Sequence, residues 1–432
     1  MNLLFANDRP GTYPDSWYAA SATPLEPFPP PRGDARADVC IIGAGYTGLS
    51  AALHLAQAGV DVAVVEAHRV GFGASGRNGG QVGTGFNKGQ DWLENRLGAA
   101  KARALWDLAE DAKATLRDLI RDHRIDADWR SGVAHCCRFD TEVAEAHAEA
   151  GMLAQRYGYE QIELLDRTQM AALVGTDVYA GGTLDQGAGH IHPLRLALGL
   201  AKAAASAGAR IYENTPIISL TPGAPNIVTS DQGRVTADHV ILATNGYVGG
   251  LDAQVSARVM PINNYIVATE PLGEDALLTK DIAASDTRFV VNYWRQTPDK
   301  RLLFGGGESY GYRFPRDTAA KVRPALAQVY PQLADVRIDH AWGGTLAITS
   351  HRLPHFARPA PSVYSAAGYS GHGVALAVMA GRVLAEVIGG NAARFDLLAG
   401  LPAMRFPGGG AARAPLLALA MRWYSLRDRL GI

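Results

Sequence analysis

The residues best suited to chemistry sit in glycine-dense turns. The first is Gly43-Ala44-Gly45-Tyr46-Thr47-Gly48, entered from the apolar run Val39 to Ile42 and left through Leu49 to Ala56. Gly43 permits a tight turn, Gly45 lets backbone approach a pyrophosphate, and Gly48 lets a helix lie close on the strand. Amides at that helix start face the diphosphate, where aligned peptide dipoles favour negative charge. A second strand, expected over Val60 to Val65, ends at Glu66, whose carboxylate is placed to accept hydrogen bonds from ribose hydroxyls. A glycine motif of this spacing is weak by itself; strand, helix and acid together favour a dinucleotide site over a structural turn.

A second glycine loop follows, Gly71-Phe72-Gly73-Ala74-Ser75-Gly76-Arg77-Asn78-Gly79-Gly80-Gln81. Small residues let its amides crowd a ligand, and Arg77, Asn78 and Gln81 offer donors. The third turn, Gly368-Tyr369-Ser370-Gly371-His372-Gly373-Val374, again joins a strand to a helix start, where a dipole stabilises developing negative charge. Three such turns at strand ends favour one shared ligand. His190-Ile191-His192 invites a metal, but no third ligand sits at useful spacing, so capping and packing are expected and no metal site is assigned.

The elements that must position these turns read as an α/β fold. It is expected to combine a discontinuous Rossmann-type domain over 34–90, 185–250 and 340–432 with a mainly antiparallel α+β substrate domain over 91–184 and 251–339. Residues 1–33 form a proline-rich arm, with Tyr13, Trp17 and Tyr18 to anchor it. One helix is expected over Asp91 to Asp122 and strands over Tyr265 to Thr269, Phe289 to Trp294 and Leu302 to Phe304. Short strands between Arg210 and Ala243 return the chain to the nucleotide-binding sheet. The closing segment Pro415 to Leu430 is amphipathic, and packing on its own domain is favoured over a membrane surface.

Composition narrows the classes further. A formal charge of −1 over 432 residues gives no basic excess for nucleic acid. No apolar span approaches about 20 residues, and Met1 to Tyr18 lacks a basic region followed by an apolar run, so no leader is expected. Cys40, Cys136 and Cys137 form neither a disulfide framework nor a spaced metal motif, which fits a reduced, cytoplasmic compartment.

The chain resembles the flavin-dependent amine and amino-acid oxidase family that includes D-amino acid oxidase, glycine oxidase and sarcosine oxidase. The likeness runs nearly end to end. It rests on the three glycine turns, Tyr18-Ala19-Ala20-Ser21-Ala22, Gly189-His190-Ile191-His192-Pro193-Leu194 and Tyr424-Ser425-Leu426-Arg427-Asp428-Arg429-Leu430-Gly431. It is strongest to the branch that oxidises gamma-glutamylputrescine. The resemblance implies FAD, with its diphosphate at Gly43, Gly45 and Gly48 and its ribose at Glu66. Ala74, Ser75 and Gln81 would line the isoalloxazine, and Gly371, His372, Gly373 and Val374 would bring amides to its pyrimidine end. Tyr46, Thr47, Ala67, Ile217 and Ala243 complete the expected cofactor contacts.

Two departures shape the expected reaction. Nothing after Cys137 is cysteine, unlike sarcosine oxidases, so the flavin is expected to be non-covalent. Gly344-Thr345-Leu346-Ala347-Ile348 stands where amino-acid oxidases place the Arg-Pro that holds a substrate carboxylate, and it has no arginine; an amine is therefore favoured. Hydride transfer from the carbon beside a neutral primary amine would give an imine, hydrolysed to aldehyde and ammonia, with oxygen as electron acceptor. Tyr265, Tyr293, Trp294 and Tyr369 are candidates for the aromatic wall, and Arg295, Arg301 and Arg352 for the distal glutamyl carboxylate. His351 and His355 are candidates for tuning the amine, with a structural place favoured for each. The alternatives are another amine or an amino acid (glycine, sarcosine or a D-amino acid), a dehydrogenase, or a flavin-binding protein without turnover. Oligomeric state is not legible.

Overall fold

The computed structural model describes residues 3–273, 277–309 and 311–407. A mixed sheet of eight strands runs His355–Ala360, Val363–Ala367, Arg234–Leu242, Ala35–Ile42, Val62–Val65, Arg210–Tyr212, with Ile217–Thr221 and Asn226–Ser230 attached beside Arg234–Leu242. Its centre is parallel, as continuous apolar runs such as Val39 to Ile42 require when both faces are covered. Helices Tyr46–Gln57, Pro193–Ser206 and Val374–Ile388 share the large core on one face. Gly48 makes that packing possible: a Cβ there would lie 1.9 Å from the Gly43 carbonyl oxygen.

The second sheet has nine strands in the order Ile338–Ile348, Met260–Thr269, Leu302–Ser309, Tyr293–Gln296, Ala283–Asp286, Arg130–Cys137, Gly181–His190, Gln81–Val82, with Ile162–Leu165 also on Gly181–His190. All its pairings are antiparallel except that of Ala283–Asp286 with Arg130–Cys137. A separate core, around Tyr265, Trp294, Phe304 and Tyr330, lies on its far face. The expected boundaries at 184/185 and 339/340 fall inside Gly181–His190 and Ile338–Ile348, so the chain changes sheets beyond them.

Local departures have local causes. The helix expected over Asp91 to Asp122 is two, Gln90–Leu97 and Ala99–Asp122, broken where Gly98 takes φ +86°. The strand expected from Phe289 begins only at Tyr293, because the Asp286 carboxylate collects the amides of Arg288 and Asn292 and folds the intervening residues into a loop. The arm is anchored as its aromatics predict: Trp17 and Tyr18 are buried, and the Tyr13 hydroxyl donates to the Val70 carbonyl. Pro415 to Leu430 lies outside the described residues. No helix among the described residues is long and apolar enough to cross a membrane.

Candidate active site

A cavity of about 830 Å³ opens where the first sheet's glycine turns meet the second sheet. The parallel strands force this: each ends at the same edge, so their exit loops converge. From the first turn Gly45, Tyr46 and Thr47 line it; from the second, Ala74, Ser75, Arg77, Asn78 and Gln81; from the third, Tyr369, Gly371, His372, Gly373 and Val374. Ala243 and Tyr293 are further expected residues that face it. The turns also bond to one another. Ser75 Oγ accepts from the Tyr46 amide at 3.0 Å, and the Thr47 and Tyr369 hydroxyls share a hydrogen bond at 2.7 Å. Asn78 holds its own loop, donating to the Ala74 and Ser75 carbonyls and accepting from the Gly80 amide.

Other expected residues stand behind the lining. Gly43 and Gly48 form the floor of the first turn. Glu66 accepts from the Ala44 amide at 2.8 Å and the His68 amide at 3.0 Å, beside Ala67, while Ile217 packs with the opposite core. Strand alternation separates the aromatic candidates: Tyr293 faces the cavity, whereas Trp294 turns into the second core between Tyr179 and Phe304. Tyr265 is likewise core, its hydroxyl bonded to Ser309. Arg295 is 2% exposed, donates to the Ile191 carbonyl and lies over Trp17 and Tyr18, away from the lining. Arg301 is tied to Asp299 and Asp339. Arg352 does line the cavity, and its guanidinium has no ion-pair partner among the described residues. His192 caps the helix Pro193–Ser206, accepting from the Arg195 amide and bonding Ser21, which is the capping expected of it.

The family model for DAO, FAD dependent oxidoreductase, matches residues 38–387. The chain belongs to this family. It is thus an FAD-dependent oxidoreductase. It is 42% identical over 421 residues to gamma-glutamylputrescine oxidoreductase of Escherichia coli, covering 96% of this chain and 99% of that one. A probable oxidoreductase, OrdL, of Rhizobium meliloti is 43% identical over 419 residues, with 96% and 97% covered. Among solved structures, glycine oxidase from Geobacillus kaustophilus superposes with a TM-score of 0.72 at 23% identity, covering 85% of this chain and 100% of that one; the likeness is one of fold.

As a DAO-family site, the cavity fits the flavin the family implies. Two helix N-termini, at Tyr46 and Val374, reach it, and their amides would suit a diphosphate and an electron-rich ring. His372 Nε2 is buried without a hydrogen-bond partner among the described residues, a polar atom that a ligand would satisfy. Burial holds the His372 and His135 imidazoles below their ordinary range, so both are neutral near pH 7, and it raises the Tyr293 and Tyr369 phenols, which stay protonated.

Sequence reading missed a polar network at one wall. Lys113 Nζ donates to Thr84 Oγ1 at 2.8 Å and Tyr159 OH at 3.2 Å and pairs with Glu110. Thr84 and Tyr159 each donate to Asp185 at 2.5 Å. Thr84 and Asp185 line the cavity, as does Glu149, whose carboxyl is pushed up by its protein surroundings and by Asp91. The available signal was Lys113 itself, a cation in register with buried Ala109, Ala112 and Leu116.

Proposed function

We propose that this enzyme oxidises the terminal primary amine of gamma-glutamylputrescine, giving gamma-glutamyl-aminobutyraldehyde, ammonia and, with oxygen as acceptor, hydrogen peroxide. The observation that carries the reading is the pairing, in one cavity, of an aromatic wall with an arginine that has no acidic partner among the described residues. Arg352 suits the distal carboxylate of a glutamylated amine by a charge-assisted hydrogen bond. Glu149 and Asp185, on the wall formed by other elements, suit a substrate that also carries ammonium groups. The similarity to the Escherichia coli gamma-glutamylputrescine oxidoreductase over nearly the whole of both chains supports the same substrate.

Bound flavin supplies the two-electron acceptor. The protein orients the carbon that loses hydride and favours the uncharged amine. Tyr293 is held for this purpose: its hydroxyl bonds Asn264, and its ring lies so close to Gly79 and Gly305 that a Cβ on either would meet it at 2.6 or 2.0 Å. A buried aromatic surface disfavours the ammonium form, and neither protonated phenol competes for its proton. The cofactor is non-covalent in this reading, supported by the absence of all three cysteines from the lining. Those cysteines are free and buried, which supports a cytoplasmic enzyme.

Anaerobic addition of gamma-glutamylputrescine to the purified flavoprotein should bleach its visible absorbance rapidly, with putrescine, glycine, sarcosine and D-alanine slower. Faster bleaching by an amino acid would replace the substrate, and bleaching without peroxide formation in air would replace the acceptor.

A further inference from the structure

The amino-terminal arm touches the cofactor loop at a charged residue. The family-model match begins at residue 38, so the arm lies before the matched span. Asp8 on this arm pairs with Arg77 of the second glycine loop, Nη1 to Oδ2 at 3.0 Å and to Oδ1 at 3.1 Å. The Arg77 side chain is 1% exposed and Asp8 15%, so water screens the pair little. The same guanidinium donates to the Phe72 carbonyl within its loop and to the Gly343 carbonyl on the strand Ile338–Ile348. The Arg77 carbonyl accepts from Trp342. One side chain therefore fixes the loop against the second sheet, and its counter-ion comes from the arm.

The arm is itself held on both sides. Asn7 donates to the Tyr312 carbonyl and accepts from the Phe314 amide, while His68, stacked on Phe72 at 3.8 Å, bonds the Leu4 carbonyl and accepts from the Gly11 amide. Without Asp8, Arg77 would keep a buried charge with no acid among the described residues, and an Nη2 that already has no partner among them. Ala74, Ser75 and Asn78 face the cavity from the loop that Arg77 anchors.

We infer that Asp8 is a positioning residue for flavin binding: through Arg77 it locks the second glycine loop in the shape that receives the cofactor. The inference rests on the flavin reading of the cavity. The test compares D8N and D8A with wild type, and with D15N as a control on the same arm, where Asp15 is exposed and, among the described residues, bonds only His340. Apoprotein is titrated with FAD by flavin fluorescence quenching, and melting is followed with and without FAD. D8A should raise the FAD dissociation constant by about tenfold or more, with D8N between it and wild type and D15N unchanged. The rise in melting temperature on adding FAD should shrink in the same order, since ligand stabilisation follows affinity. A merely structural Asp8 would lower apo and holo melting together and leave the dissociation constant alone, and that result overturns the inference. If D8A does not fold, D8N decides by the same criterion. Failure of wild-type apoprotein to take up FAD would overturn the cofactor reading and this inference with it.

Discussion

At the scale of single residues, three arginines shared one expectation and the fold separates them by their partners. Arg301 is neutralised by Asp299 and Asp339, Arg295 is packed on Trp17 and Tyr18, and Arg352 faces the cavity with no acidic partner among the described residues. Arg352→Gln should raise KM for gamma-glutamylputrescine roughly ten- to a hundredfold with a smaller change in kcat, since a hydrogen bond to a charged group contributes about 1.5–3 kcal/mol. Arg295→Met should instead lower the melting temperature and leave KM unchanged. Steady-state kinetics on both variants decide the assignment, and an unaltered KM for Arg352→Gln removes it from substrate binding. Lys113 makes the converse point: it read as one of many helix charges, yet the turn that buries Ala109 and Leu116 buries it too.

At the scale of elements, the unit Ala35–Ile42, turn, Tyr46–Gln57, Val62–Val65 was legible because apolar runs, glycines and an acid all demand the same geometry. Its tolerance is narrow. Gly48→Ala should cost about 1–3 kcal/mol or more, because the added carbon meets backbone rather than a movable side chain. Denaturant unfolding of the apoprotein measures that cost, and flavin content on purification should fall with it. An unaltered midpoint would mean that the helix can shift off the strand. The less legible elements were those set by a single side chain or glycine: Asp286 shortened a strand from outside its apolar pattern, and Gly98 split a helix whose apolar stripe read as continuous.

At the scale of the whole molecule, histidines buried in both halves make stability depend on acidity. Burial above all, with Arg295 next, holds His190 and His192 down to about 3; burial and then Arg258 hold His355 at about 4. Their ordinary value is 6.5, so below that pH the unfolded chain takes up protons that the folded chain refuses. Stability therefore falls as pH drops from about 6.5 towards 4 and is insensitive to these groups above 6.5. Each histidine contributes roughly 1.4 kcal/mol for each pH step through that window. Thermal melts between pH 7.5 and 4.5 should show the decline beginning near 6.5, and a flat profile would show that these imidazoles reach solvent in the folded state.

The sequence by itself determined the cofactor unit, the family and the identity of the loops that form the cavity, because each is encoded by contiguous residues whose local preferences agree. Of the expected wall, Tyr293 and Tyr369 line the cavity whereas Tyr265 and Trp294 face a core, and the sequence had no means of separating the two pairs. A one-residue step along a strand reverses the face, and which face meets a ligand depends on what packs on the other side. Partnership is equally non-local: Asp8 lies 69 positions before Arg77, and only the folded chain brings carboxylate and guanidinium together. The tertiary structure alone decided which charges are paired within the protein and which face the cavity without an ion-pair partner among the described residues, because pairing is a property of distance in space.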